Sequence, residues 1–376
     1  MTSVTFEVST IADAVRRAAK IAPGKSGIAF DKAAGVFFEI NPTGDAQVIM
    51  RATNLDAFHT EVINAVEAEG EPARWRLPSQ LMSSVIGSLP AKSGGEIKFA
   101  QDGMKIKFTH GRMRGSMNLI DDQSYPDWDM FDTSTLTPVS ALGGRVAMVE
   151  WAADSSAPPP LCGVYIDGEY LVATDKYKLA RTPCKVSGLA RPIVVPSGIL
   201  SSVLKAMGDT DLGVVGTQLV LAPDAYTQIS TVIYDVQFPP VGPLFAYEYE
   251  GSVQVDKAEF LEKLNRACQY AGAERNPVLR TFWGKGGISI MMENSEIGMI
   301  GDTIDCHGQL NHGRIEILFS PKILSDAVSH SPESKIKIMY DITETDPRIS
   351  KHIKVDGGAG YECIVMKRQH AQPTGV

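Results

Sequence analysis

LPSQLMSSVIGSLP (Leu77–Pro90) returns as VPSGILSSVLKAMG (Val195–Gly208) and again as FSPKILSDAVSHSP (Phe319–Pro332), at offsets of 118 and then 124 residues. A repeat with this period sets the architecture before any other reading. In each copy a Ser beside a Pro opens a predicted helix, because a Ser side chain accepts from free N–H groups and Pro is tolerated in the first turn. Leu81, Met82, Val85, Ile86 and Leu89 answer to Ile199, Leu200, Val203, Leu204 and Met207, and to Ile323, Leu324, Ala327 and Val328. The spacing i, i+1, i+4, i+5, i+8 is one face of an amphipathic helix. Three copies in 376 residues divide the chain into three units of about 125 residues, each long enough to bury its own core.

A second helix precedes each copy. Thr10–Ala22 carries Ile11, Ala14, Val15, Ala18, Ala19 and Ala22 on one stripe, with Thr10 and Asp13 spaced as a capping box. Asp256–Ala271 repeats the design, with Asp256 and Glu259 at the box positions and Leu261, Leu264, Cys268 and Ala271 on the stripe; Arg145–Asp154 is a shorter version. Period-two runs fill the remainder: VFFEI, QVIMRAT, EIKFA and MKIKFT in the first unit, VYIDG, YLVATD, LVLA and ISTVIYDV in the second, ISIMMEN, IEILF, KIKIMYDI and YECIVMK in the third. The expected fold is α+β, three similar domains each with two helices packed on antiparallel sheets. Boundaries fall after YPDWDMFD (Tyr125–Asp132) and FPPVGPLF (Phe238–Phe245), giving domains 1–132, 133–248 and 249–376.

Composition excludes several classes. With 44% hydrophobic and 21% charged residues, the chain is neither disordered, collagenous nor a disulfide scaffold. No run of apolar residues reaches membrane-spanning length, and MTSVTFEVST lacks the basic and apolar regions of a signal peptide, so a cytoplasmic location is expected. Five cysteines lack any C-x-x-C pair and read as buried reduced thiols; seven scattered histidines give no metal-binding spacing, and no cofactor is called for. There is no nucleophile elbow, Walker loop, H-E-x-x-H or dinucleotide fingerprint. Asp305, Cys306 and His307 are adjacent, but neighbours on a strand point to opposite faces and form no dyad. A hydrolase is therefore the weak alternative. The net charge of −8, taken alone, argues against a nucleic-acid partner, yet net charge speaks to solubility and a binding surface depends on where charges sit.

Three such units, with VATDKYKLAR (Val172–Arg181) in the middle one, resemble the bacterial DNA polymerase III β sliding clamp family. Its signature A-T-D-G-H-R-L-A is kept at Ala173, Thr174, Asp175, Leu179 and Ala180, with Lys176, Tyr177 and Lys178 replacing Gly, His and Arg. The family's L-x-G-V matches Leu161, Gly163 and Val164, its F-P-D matches Phe238, Pro239 and Pro240, ENSEIGMIGD (Glu293–Asp302) resembles a strand pair, and YECIVMK (Tyr361–Lys367) resembles its terminal segment. The departures mark a divergent member, for which a phage origin is one reading.

The resemblance implies a non-catalytic processivity factor, a homodimeric closed ring that encircles duplex DNA by phosphate contacts and tethers polymerase, clamp loader and other peptide-bearing proteins. A clamp-fold protein with a regulatory or sequestering role is the alternative. Carried over residue by residue, the interface takes Arg112 and Arg114 from the first domain and Glu296, Asp302 and Asp305 from the third. Of the candidate DNA contacts, Lys25 matches a family loop Arg, while Arg16, Arg17 and Lys20, Lys205, and Lys263, Arg266 and Arg275 rest on their position on the expected helices or the loops after them. The partner-peptide pocket takes Leu161, Thr174, Tyr177, Lys178, Leu179, Pro239, Leu244, Ile323, Ile364, Val365 and Met366. Tyr177 and Lys178 at the entrance imply an altered peptide preference.

Overall fold

The computed structural model describes the chain apart from residues 23–31, 44–45, 90–93, 122–123, 199, 201–208, 273–275, 285–286, 295, 297, 309–312, 343–351 and 369–376. Strands follow the period-two runs. The first third of the chain supplies β1 (Ser3–Glu7), β2 (Val36–Ile40), β3 (Gln47–Thr53), β4 (Ala57–Asn64), β5 (Glu67–Glu69), β6 (Ala73–Leu77), β7 (Glu96–Asp102), β8 (Lys105–His110) and β9 (Met113–Asn118). The middle third supplies β10 (Thr137–Val139), β11 (Gly163–Ile166), β12 (Tyr170–Thr174), β13 (Lys178–Pro183), β14 (Ile193–Pro196), β15 (Thr210–Val215), β16 (Gln218–Ala222) and β17 (Thr227–Val232). The last third supplies β18 (Gly251–Asp256), β19 (Leu279–Gly284), β20 (Gly287–Asn294), β21 (Gly298–Ile304), β22 (Cys306–Gly308), β23 (Ile315–Phe319), β24 (Lys335–Tyr340), β25 (His352–Gly358) and β26 (Tyr361–Met366).

Two compact units result. One holds Met1–Gly144, Val186–Arg191 and Gly198–Tyr234; the other holds Arg145–Lys185, Pro192–Ser197 and Asp235–Val376. The first unit contains a five-stranded sheet, β5-β1-β7-β8-β9, and an eight-stranded sheet, β10-β15-β16-β17-β4-β3-β2-β6. The second contains a nine-stranded sheet, β14-β11-β12-β13-β26-β25-β24-β18-β22, and a four-stranded sheet, β21-β20-β19-β23. All named strand pairs are antiparallel, as hairpin-connected runs require.

Within each unit a helix lies on these sheets. In the first, α1 (Val8–Ile21) buries Val8, Ile11, Ala14, Val15, Ala18 and Ile21. All of these except Ile21 join Phe6, Phe38, Trp75 and Phe99 in one core. Its small residues let the helix sit close to the strands, and each fully buried large apolar side chain contributes about 1.5–3 kcal/mol. The helix begins at Val8 with Glu7 as its N-cap and no side-chain cap bond. The expected Thr10–Asp13 box is therefore not formed, because β1 runs directly into the helix and leaves Thr10 inside the first turn. The repeat segment follows as α2 (Ser79–Leu81), continued by a π-helical turn, Met82–Ile86.

In the middle third, α3 (Leu142–Val149) leads into a 3-10 turn, Glu150–Ala152; of the helix expected for the second repeat copy, Ser197, Gly198 and Leu200 are helical and residues 199 and 201–208 lie outside the described residues. A single turn, α4 (Gly242–Phe245), follows in the Pro-rich segment. In the second unit, α5 (Lys257–Ala271) has Asp256 as N-cap, whose carboxylate accepts from Glu259 N at 3.0 Å. Its buried stripe is Phe260, Leu264, Ala267 and Ala271, so Leu261 and Cys268 flank the core. The third repeat copy is α6 (Pro321–Ser329), with Pro321 at N1. Its N-cap Ser320 makes no side-chain cap bond, so Pro321 in the first turn starts α6 through its fixed φ, whereas α2 has Pro78 itself at the N-cap position.

The two segments read as boundaries are ordered straps. Tyr125 stacks on Phe37 at 5.0 Å, and Trp128 meets Phe58 edge-on at 5.1 Å while its Nε1 donates to Thr60 Oγ1 at 2.8 Å. Phe131 N donates to Gln228 Oε1 and its carbonyl accepts from Gln228 Nε2, tying the strap to β17. In the second unit, Phe238 stacks on Tyr165 at 4.6 Å.

Candidate partner groove, inner-face cations and free edges

The signature residues first build a turn. Between β12 and β13, Thr174 Oγ1 donates to Lys178 O at 2.8 Å and accepts from Lys176 N at 3.2 Å, while Asp175 Oδ1 accepts from Tyr177 N and Lys178 N. Between β3 and β4 the same bonds recur: Thr53 Oγ1 to Ala57 O at 2.7 Å, Leu55 N to Thr53 Oγ1, and Asp56 N and Ala57 N to Asn54 Oδ1. Lys176 and Leu55 share a left-handed φ of 81° and 77°. The signal was present in the sequence as ATNLDAF (Ala52–Phe58) beside ATDKYKL (Ala173–Leu179). Left-handed backbone costs a non-Gly residue about 1–2 kcal/mol, which accounts for the family's Gly where this chain has Lys176. Lys176→Gly is expected to raise the unfolding free energy by about 1 kcal/mol, read by urea denaturation.

This turn anchors the candidate partner site of the second unit. Tyr177 O accepts from Met366 N at 2.9 Å, and β13 runs against β26 with Leu179 opposite Ile364 and Arg181 opposite Glu362. Residues two apart share a face, so Leu179, Arg181, Glu362, Ile364 and Met366 line one side of the sheet, under Phe245. Thr174, Leu179, Ile364 and Val365 are buried; Leu161, Lys178, Ile323 and Met366 are half-buried. Tyr177 is 67% and Leu244 38% exposed, and Pro239, five residues before Leu244, is exposed as well. Lys178 turns to the other face, its Nζ 3.7 Å from Asp175 and 5.6 Å from the Trp151 ring centre.

Sequence reasoning missed the charged floor. Glu362 holds two cations, Arg181 through Nε at 2.6 Å and Nη2, and Lys354 Nζ at 2.6 Å. The Arg181 guanidinium lies 4.0 Å from the Phe245 ring centre and 4.9 Å from that of Tyr170, and Lys354 Nζ donates to Phe245 O at 3.0 Å. The carboxylate thus fixes α4 and the rim residue Leu244 to the sheet. Only the cross-strand register reveals the pairing, across 181 residues of sequence.

The helical cations are already partnered. On α1, Arg16 Nη1 is 2.7 Å from Asp13 and its Nε donates to Gly87 O at 2.8 Å; Arg17 forks onto Glu61 at 2.5 and 3.1 Å. Burial raises the pKa of Glu61, but bonds to His59 and Arg17 outweigh it and hold the carboxyl below its ordinary value. On α5, Lys263 Nζ meets Glu259 at 2.5 Å and Asp302 at 3.9 Å, and Arg266 meets Glu262 and Asp302 at 2.6 Å each. Lys20 is exposed in the last turn of α1. Lys25, Lys205 and Arg275 lie outside the described residues, and among the described residues no cluster suited to a metal ion is found.

Of the expected interface residues, Arg112 and Arg114 are exposed at the start of β9, and Glu296 and Asp305 are exposed at the two ends of β21. Asp302 sits on β21 but points back to α5. Strand β9 ends the five-stranded sheet and β21 ends the four-stranded one, so among the described residues each is a free edge. By contrast, β4 pairs with β17 (Ala57 opposite Thr231) and β13 pairs with β26.

Repeated double-sheet modules joined edge to edge define a clamp-type fold. No protein-family model matches the chain. It is 22% identical over 278 residues to the beta sliding clamp of Staphylococcus aureus, covering 70% of this chain and 72% of that one, and 23% identical over 285 residues to that of Bacillus subtilis, covering 72% and 74%. Its fold matches the DNA polymerase III beta subunit of Thermotoga maritima with a TM-score of 0.82 at 19% identity over 99% of this chain and 100% of that one. It matches the Bacillus subtilis DNA polymerase sliding clamp with a TM-score of 0.80 at 18% identity over 98% and 100%. The chain is thus similar to beta sliding clamps over about 70% of its length and has the fold of the DNA polymerase III beta subunits. No described helix is long and apolar enough to cross a membrane.

Proposed function

We propose that two copies of this chain close head to tail into a ring of six domains that encircles duplex DNA and tethers a polymerase. One observation carries the reading. The last strand of each third of the chain is β9, β17 and β26; β17 pairs with β4 and β26 with β13, the strands that leave equivalent turns. The third strand of that kind is β21 and the one remaining last strand is β9, and both are free. Repeating the same joint between copies consumes both edges, which unpaired would be an aggregation hazard, and a heterologous contact of this kind either closes or makes fibres. Domains 1–132, 133–248 and 249–376 are the repeating bodies.

Arg112 and Arg114 would face Glu296 and Asp305 across the joint. Such surface pairs supply ~0–1 kcal/mol each, so strand pairing and apolar contact carry closure. Arg16, Arg17, Lys20, Lys25, Lys205, Lys263, Arg266 and Arg275 would meet phosphates, since sliding forbids base readout. The groove around Leu179, Leu244, Ile364 and Met366 would take short apolar peptides from polymerase and loader. The role needs no catalytic residue of its own, and a replication protein of this kind works in the cytoplasm. The test is primer extension on circular template with a bacterial replicative polymerase and loader. Longer products with the protein are expected; a stable ring that leaves product length unchanged would contradict the processivity role.

A further inference from the structure

The four described arginines and lysines that α1 and α5 bring to the proposed DNA-facing surface, apart from Lys20, are each held by carboxylates of their own chain. Arg16 is held by Asp13, Arg17 by Glu61, Lys263 by Glu259 and Asp302, and Arg266 by Glu262 and Asp302. Two independent helices in separate units show the same arrangement. On α5 the carboxylates come from two sides: Glu259 and Glu262 lie one turn back on the helix, and Asp302 reaches across from β21. The pairs at Arg16 and Arg266 are half exposed, with both cations at 44%, and so can exchange partners with an incoming phosphate. Lys263, at 15%, is further held by Thr303 O at 2.5 Å.

We propose that these carboxylates, Asp302 above all, are built-in competitors for the DNA phosphates. A phosphate contact made by Arg266 displaces Asp302 or Glu262, and one made by Lys263 displaces Glu259 and draws it from Asp302, so the cation exchanges one anion for another instead of gaining one. The ring then holds DNA by topology with weak, nearly isoenergetic phosphate contacts, which lets it slide. Asp302, an interface candidate on the family pattern, directs its carboxylate to Arg266 on α5. The inference rests on the clamp reading.

The experiment measures the dissociation constant for a fluorescent 30-base-pair duplex with free ends, onto which a ring threads without a loader, as a function of salt. Each additional phosphate neutralised steepens the slope of log K against log[salt] by about 0.9. Asp302→Asn is expected to add about one contact per chain and two per ring. The slope steepens by about 2, and the loss of affinity between 50 and 200 mM salt grows about tenfold. Asp302→Glu keeps the wild-type slope. Because Asp302 lies on an edge strand, a Glu259→Gln and Glu262→Gln double variant, confined to the helix, provides the second test and is expected to steepen the slope in the same direction. Slopes equal to wild type in both variants, with wild-type protein still retained on circular DNA, overturn the inference alone. Failure of the wild type to be retained on circular DNA overturns the clamp reading and the inference with it.

Discussion

Ser116→Pro is expected to convert the assembly from a mass of twice 40.6 kDa to single chains while leaving each chain folded. The reason lies in the hairpin from which β9 emerges. His110 pairs with Met113 across a two-residue loop in which Gly111 takes a φ of +55°, the geometry of a tight antiparallel turn. In such a hairpin the closing pair exchanges hydrogen bonds and the pattern alternates along the ladder. Gly115 and Met117 therefore bond inward to β8, whereas Arg114, Ser116 and Asn118 direct their N–H groups outward. Proline at the exposed Ser116 removes an outward donor and places a ring where the partner strand must lie. It takes nothing from β8, since edge strands tolerate Pro when the N–H faces out. Light scattering reads the mass, and circular dichroism unchanged from wild type excludes unfolding. A variant that still forms dimers would show that β9 is not the joint.

Glu362→Ala is expected to destabilise the chain strongly, through charge rather than through lost apolar packing. Its carboxylate is shared by Arg181 and Lys354, with side-chain exposures of only 17%, 24% and 12%. Removing one partner of a buried pair costs 3–5 kcal/mol because a charge is left uncompensated; the partial exposure here reduces the expected loss to about 2–3 kcal/mol. The loss is concentrated where β13 meets β26, and it also frees Phe245, which packs on Arg181. Hydrogen exchange should show faster opening of Lys178–Pro183 and Tyr361–Met366, and apolar peptide binding at the groove should weaken along with it. Glu362→Gln, which keeps an acceptor, should lose less. An unfolding free energy within 0.5 kcal/mol of wild type, against the expected loss of about 2–3 kcal/mol, would show that the two cations do not depend on this carboxylate.

Local chemistry was legible in the sequence, and long-range register was not. VFFEI and QVIMRAT coincide with β2 and β3, and Asp256 caps α5 as its spacing required. The box at Thr10 failed because tertiary continuity with β1, rather than capping, decides where α1 starts. At the candidate partner site, the strand pairing sets Leu179 opposite Ile364, two residues named from the motif, and adds Arg181, Glu362 and Lys354, whose pairing no motif carries. A charge on a strand reads as solvated until the partner strand is known. Asp302 shows the same limit: period two places it on β21, but only the packing of α5 on that sheet tells which way it points.

The central claim is topological, and retention on DNA tests it most directly. Protein loaded on nicked circular plasmid should co-elute with the DNA through a gel-filtration column at a salt concentration that abolishes binding to short duplexes. It should be released when a restriction enzyme linearises the plasmid. Retention that survives linearisation, or dissociation from the intact circle at the same salt, would contradict a closed ring.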